Sequence, residues 1–278
     1  MPSAGCRSGA EHGRAGLRSL TSGGRTRRFH LRLPAAGAPG RPAPLVLNFH
    51  GLYQPAPLEE LLSGMTPKAG ERGWIVVYPL GVGASWNAGG CCGRARAEGV
   101  DDVRFVRDLV RKLERELCVD RRRIYATGMS NGGLFSYRLA CEASDLFAAV
   151  APVAAVEAVP ACAPRRPLPL LAFNGTGDFL VRYRGGFPAS FWELASAPET
   201  RDRWEKRKSC AAARRTVWSS REVKCEAAPG CSAEHVVCTV EGGGHTWPGG
   251  VIVPWLGHTT DEVSATDTML DFFARHAR

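Results

Sequence analysis

No stretch of this chain comes close to the roughly 20 consecutive apolar residues that a membrane-crossing helix needs. The first 24 residues are rich in Gly, Ser and Arg and hold no apolar run of about 7–15 residues, so no secretory leader is expected there and a disordered segment is. Phosphate-cradling loops are missing as well. There is no G-x-x-x-x-G-K-[ST] segment, and Gly81-Val82-Gly83-Ala84-Ser85 lacks the spacing of a dinucleotide-binding turn. Neither H-E-x-x-H nor paired C-x₂₋₄-C knuckles occur. Neither a cofactor nor a metal is therefore expected.

What is plentiful is positive charge and cysteine. Thirty-six Lys and Arg against 27 Asp and Glu give a formal charge of +9. The basic residues gather as Arg25, Arg27 and Arg28, as Arg121, Arg122 and Arg123, and as Arg201, Arg203, Lys206, Arg207 and Lys208. None of these groups belongs to a zinc-finger, RNP or helix-turn-helix signature, so they read as solvated surface, and nucleic acid is not expected as a partner. Ten cysteines are many for a reducing compartment. Cys210, Cys225, Cys231 and Cys238 fall in a stretch with few apolar residues, where disulfides would compensate for a thin core. Free thiols and metal ligation are the competing readings. Cys91 and Cys92 are adjacent, and a bridge between neighbours is strained, so each is expected to pair elsewhere or one to stay free.

A chain of 278 residues can bury one sizeable core without dividing. Phe29, Leu31 and Leu33 alternate with polar residues as in a half-buried strand, and 34–44 reads as a turn. Leu45–Phe49, Trp74–Tyr78, Ala148–Val153, Leu168–Phe173 and His235–Val240 are short apolar runs that read as central strands. From Asp101-Asp102 onward, Val106, Leu109, Val110, Leu113 and Leu117 recur at helical spacing. A last helix is expected over Asp267–Ala274. Strands alternating with helices predict an α/β protein with a mostly parallel, helix-covered sheet in a single domain over 25–278. The stretch 180–225, with Phe187, Phe191, Trp192 and Trp204, is expected to form a cap or rim.

The strand-like run Arg123–Thr127 leads directly into Gly128-Met129-Ser130-Asn131-Gly132. A G-x-S-x-G sequence between a strand and a helix is the nucleophile elbow of the α/β-hydrolases. A serine hydroxyl needs a base, and the base needs a carboxylate that fixes its tautomer. In this fold they follow in the order serine, acid, histidine. Asp178, after the Gly-rich turn Asn174–Gly177, is the candidate acid. His245, in Gly242–Gly249, is the candidate base, with His258 its rival. The N–H of Asn131 is the expected first oxyanion donor and that of Leu52 the second, with its neighbours still open. His50 reads as a structural hydrogen bonder. Tyr53, Trp86 and Trp247 are candidates for lining the substrate pocket. Asn174-Gly175-Thr176 is formally a glycosylation sequon, expected to be unused beside Asp178.

Over about residues 28–275 the chain resembles the secreted esterases related to polyhydroxybutyrate depolymerases and to feruloyl or acetylxylan esterases. The likeness rests on Leu47–Gly51, Ser85–Gly93, Val100–Val103, Arg123–Gly133, Asn174–Asp178 and Gly243–Gly249. It implies an α/β-hydrolase fold, an exported protein, and Ser130, Asp178 and His245 as nucleophile, acid and base. The family usually has His-Gly where Asn174-Gly175 stands and Ala at Gly177, and the segment Leu52–Pro57 is unusual for it. The reading is thus a cofactor-independent serine esterase working through an acyl-enzyme, expected to be extracellular and monomeric, on polyester or polysaccharide-linked esters. A serine peptidase of the same fold, and a catalytically impaired polysaccharide-binding module, are the alternatives.

Overall fold

Alternate residues of the apolar runs feed opposite faces of one sheet, as the pleat requires. Leu45, Leu47 and Phe49 enter one hydrophobic cluster and Val46 the other. The computed structural model describes residues 1–6, 15–34, 40–186 and 193–278. Its strands are β1 (Gly16–Ser22), β2 (Arg25–Arg32), β3 (Ala43–Phe49), β4 (Ile75–Pro79), β5 (Val119–Met129), β6 (Ala149–Val153), β7 (Leu170–Gly175), β8 (Arg215–Ser219), β9 (Val223–Ala227) and β10 (His235–Val240). They form one sheet in the order β1-β2-β4-β3-β5-β6-β7-β10-β9-β8. The six strands from β4 to β10 in that order run parallel, and the two at each edge are antiparallel.

The helices are α1 (Ala56–Ser63), α2 (Met65–Glu71), α3 (Gly93–Ala97), α4 (Asp102–Glu116), α5 (Asn131–Glu142), α6 (Ala197–Arg207) and α7 (Ala265–Ala274). Leu109 of α4 and Phe135 of α5 pack in one cluster, and Met65 of α2 and Phe272 of α7 in the other. The sheet is covered on both faces, the expected α/β-hydrolase architecture. Among the described residues, no helix is long and apolar enough to cross a membrane.

Several expectations need correcting. Residues 16–22 are not disordered, because Gly23-Gly24 turn them back onto β2 in register. Both glycines have positive φ (57° and 74°), as a two-residue hairpin turn of this kind requires. Ser3 also bonds Leu117 and Val119, and a Cys6–Cys118 disulfide pins the start of the chain to the same place. The stretch 180–225 is only partly a rim. Leu180, Val181 and Leu194 face the main cavity. Trp204 of α6, by contrast, is buried in the core, and β8 and β9 extend the sheet. Phe187, Phe191 and Trp192 lie outside the described residues.

All ten cysteines are paired: Cys6–Cys118, Cys91–Cys92, Cys141–Cys162, Cys210–Cys231 and Cys225–Cys238. The neighbours Cys91 and Cys92 are thus joined to each other, contrary to expectation. Every other cysteine is taken by a different bridge, and their own Cα atoms stand 3.2 Å apart across a cis peptide. Carboxylates meet each basic cluster, as in Arg27–Asp102, Arg123–Asp120 and Arg207–Glu157.

Candidate active site

Ser130, Asp178 and His245 follow β5, β7 and β10, all at the carboxyl ends of parallel strands, where ligands gather in open α/β sheets. Ser130 has φ 57° and ψ −124°, a left-handed conformation that a non-glycine residue adopts only when its surroundings force it. The force comes from close packing. A Cβ on Gly132 would collide with the backbone of Phe49 and His50, and one on Gly128 with the Phe49 carbonyl. A Cβ on Gly128 would also lie 2.8 Å from the Gly132 carbonyl carbon, so the elbow glycines are needed both for the approach of β3 and for clearance of each other.

Asp178 and His245 are both buried and share a hydrogen bond of 2.8 Å between Oδ2 and Nδ1. A carboxylate only accepts, so Nδ1 carries the proton and Nε2 is left as the basic nitrogen. The other carboxylate oxygen, Oδ1, accepts the N–H groups of Leu180 (2.9 Å) and Val181 (2.8 Å). Three hydrogen bonds thus orient the acid. The His245 loop is fixed through its backbone, with His245 N–H on the Leu256 carbonyl and Gly244 N–H on that of His258. The side chain of His258 points elsewhere, half-exposed and paired with Glu222, so this rival base supplies only its carbonyl to the site. Asn174 donates to the Ala155 carbonyl from a buried position, and Gly177 N–H bonds Gly243. A Cβ at Gly177 would lie 2.8 Å from the Gly242 oxygen, so the family's alanine does not fit this loop.

Ser130 and His245 line one cavity of about 510 Å³, together with Leu52, Tyr53, Asn131 and the Cys91–Cys92 pair. No hydrogen bond joins Ser130 to His245 among the described residues. Such contacts are commonly long in unliganded sites and tighten around substrate. The N–H groups of Asn131–Gly133 precede the first intrahelical bond of α5, which runs from Leu134 N–H to the Ser130 carbonyl, so they are available at the cavity end of the helix. The Asn131 side chain is occupied, accepting the Trp86 N–H (2.7 Å) and donating to the Trp86 carbonyl (2.9 Å).

In the loop after β3, Gly51 N–H donates to Gln54 Oε1, Tyr53 N–H to the Ala84 carbonyl and Gln54 N–H to the Gly51 carbonyl. Among the described residues this leaves the Leu52 N–H as the one backbone donor of Gly51–Gln54 without a partner. His50 is structural, as expected. Its Nδ1 lies 2.7 Å from the Gly51 carbonyl, Nε2 accepts the Gly81 N–H, and burial pushes its pKa down to about 4, keeping the ring neutral.

Two pocket candidates are corrected. Trp86 is fully buried, stacked on Phe135, and donates Nε1–H to the His50 carbonyl; it supports the site from behind. Trp247 is also buried, bonded to Thr266. Neither lines the cavity, because each indole N–H finds its partner in the core. Tyr53 does line it and stands 73% exposed at the mouth. Two supports were missed. Asp102 is buried, accepts Arg27 Nη2 (2.7 Å) and Asn87 N–H (2.9 Å), and so anchors the Trp86 segment on which Asn131 rests. Burial raises its pKa, with Arg27 opposing. Gln54 and Glu59, which hold the Leu52 loop, were likewise not singled out, although the spacing Gln54–Glu59 at the start of a helix was readable.

Residues 71–162 match the model of the prolyl oligopeptidase family. The chain is 34% identical over 283 aligned positions to the putative esterase NocK of Nocardia uniformis, with 92% of this chain and 81% of that protein covered. It is 33% identical to feruloyl esterase B of Piromyces equi, covering 79% of this chain but only 42% of that protein, so it spans under half of that relative's length. The solved structure of acetyl xylan esterase from Aspergillus awamori superposes with a TM-score of 0.66, covering 93% of this chain and 98% of that one at 14% identity, a likeness of fold. The chain belongs to the α/β-hydrolase esterases that include the NocK protein, a group of carboxylic ester hydrolases.

Proposed function

We propose that the chain hydrolyses esters through an acyl-enzyme on Ser130. Ser130 Oγ attacks the ester carbonyl while His245 Nε2 takes its proton. The N–H groups of Asn131 and Leu52 hold the oxygen that becomes negative. His245 returns the proton to the departing alcohol, and Asp178 keeps the ring in the required tautomer throughout. Water activated by the same Nε2 then releases the acid. The observation that carries this reading is the buried Asp178–His245 hydrogen bond, opening on a cavity that Ser130 shares.

The cavity also bears on substrate. Among the described residues, no Asp, Glu, Lys or Arg lines it, whereas Leu58, Leu61, Ile252 and Trp255 stand exposed at its mouth. An uncharged acyl group larger than acetyl, aromatic or aliphatic, suits such walls. The names of the feruloyl esterase relatives point the same way. Five disulfides favour work in an oxidising, extracellular setting.

The test is a panel of methyl ferulate, hydroxybutyrate oligomers, acetylated xylan and a short aryl ester, with fluorophosphonate labelling alongside. Labelling confined to Ser130, and faster turnover of the first two than of acetylated xylan, is expected. Labelling that survives S130A would remove the mechanism. The prolyl oligopeptidase match favours one second reading, a peptidase, and cleavage of a peptide amide faster than of the aryl ester would establish it in place of the first.

A further inference from the structure

The loop that carries Leu52 is tied from beneath by a side-chain relay that the reaction as written does not use. The Gln54 amide reads a donor at one end and an acceptor at the other: its Oε1 accepts the Gly51 N–H at 2.9 Å, and its Nε2 donates to Glu59 Oε2 at 3.1 Å. Glu59 sits in the first turn of α1 with no exposed surface. Among the described residues its other oxygen, Oε1, has no partner, and no Lys, Arg or His pairs with its carboxyl. A buried carboxyl without a cation is an expensive group to keep in a core. Here its one side-chain hydrogen bond goes to the residue that fixes the oxyanion loop. Tyr53 is held separately by Ala84, and Gly51 depends on Gln54.

We propose that Glu59 is a positioning residue for ester hydrolysis: through Gln54 it sets where the Leu52 N–H points when the carbonyl oxygen becomes negative. The inference rests on the reading of Leu52 as an oxyanion donor. It acts on the transition state rather than on the bound ester, so its loss lowers kcat and leaves KM nearly unchanged.

Burial raises the Glu59 pKa to about 8, so the carboxyl is neutral at pH 7 and can offer a carbonyl-type oxygen to Gln54. Ionisation above that pH puts an unpaired charge beneath the loop. The groups on the neighbouring elements leave this titration to Glu59. Tyr78 of β4 is pushed up beyond it, and His50 after β3 is neutral. Glu60 of α1 is bound to Arg32 of β2 and titrates lower, as does His30 of β2. Lys68 of α2 is paired with Asp267 of α7.

The experiment compares wild type, E59M, E59Q and S130A on a short aryl ester from pH 5.5 to 9.5, with thermal unfolding of each. Met fills the space without an acceptor, whereas Gln supplies a neutral one. E59M is expected to lose about 10–100-fold in kcat with KM within about twofold, since misplacement of a catalytic group by about 1 Å can cost about 10²-fold. E59Q is expected to stay within about threefold of wild type at pH 7 and to lose the fall of kcat above pH 8. Wild-type kcat in E59M overturns the proposal, and so does an equal loss in E59Q and E59M that tracks their unfolding temperatures. If E59M does not fold, the alkaline limb decides: its persistence in E59Q overturns the proposal and its disappearance upholds it. Activity that survives S130A would instead strike at the proposed reaction, whatever the Glu59 variants do.

Discussion

The turn that presents Ser130 and the loop that presents Leu52 flank the same cavity but are held by opposite means. Around Ser130, backbone packs on backbone: Gly128 and Gly132 let the end of β3 come so close that any side chain would collide. Around Leu52, side chains do the holding, through His50, Gln54 and the buried Glu59. Steric fixation is independent of pH and intolerant of added volume. Fixation by a buried carboxyl tolerates volume better but responds to protonation. The comparison separates two kinds of preorganisation within one site.

Variants sharpen that contrast, beginning with the proposed reacting groups. S130A should lower kcat on an aryl ester by about 10⁵–10⁶-fold and abolish fluorophosphonate labelling, with little change in unfolding temperature. D178N should cost about 10⁴-fold in kcat near neutral pH, because an amide can stabilise the wrong tautomer of His245; steady-state kinetics would show it. G132A tests the steric loop. Overpacking against Phe49 and His50 should destabilise the fold by about 1–3 kcal/mol at every pH, read by denaturant unfolding. E59Q tests the other loop and should have the smallest effect. Because burial raises the Glu59 pKa from 4.5 to about 8, the contribution of Glu59 to stability is fully present below pH 4.5 and is lost as pH rises to about 8. E59Q lacks that loss, so its unfolding temperature should match wild type near pH 5 and exceed it by several degrees near pH 8.5. A pH-independent difference would contradict the assignment of a neutral carboxyl.

The two loops also differed in how legible they were. The elbow is a local pattern, a strand followed by G-x-S-x-G, and its meaning survives without any knowledge of what packs against it. The relay from Gly51 through Gln54 to Glu59 spans only a few residues. Even so, nothing in composition distinguishes a buried Glu at a helix start from an exposed one, where the helix dipole also favours it. The same ambiguity misplaced Trp86 and Trp247, whose aromatic character suits a pocket wall and a core equally well. Residues 16–22 were misread for a different reason. Their strand is half-exposed and gains its order from β2, although the Gly23-Gly24 turn was a local signal that pointed to it.

By itself the sequence determined the alternation of strands and helices and the chain order of Ser130, Asp178 and His245, because periodicity, turn chemistry and motif spacing are short-range properties. The tertiary structure decided which cysteines meet, that among the described residues Leu52 rather than its neighbours keeps a free N–H, and that the carboxyls of Asp102 and Glu59 turn inward. Those outcomes depend on which backbone groups are already satisfied and on how far each side chain lies from water. Both are fixed only when segments distant in the chain are packed together.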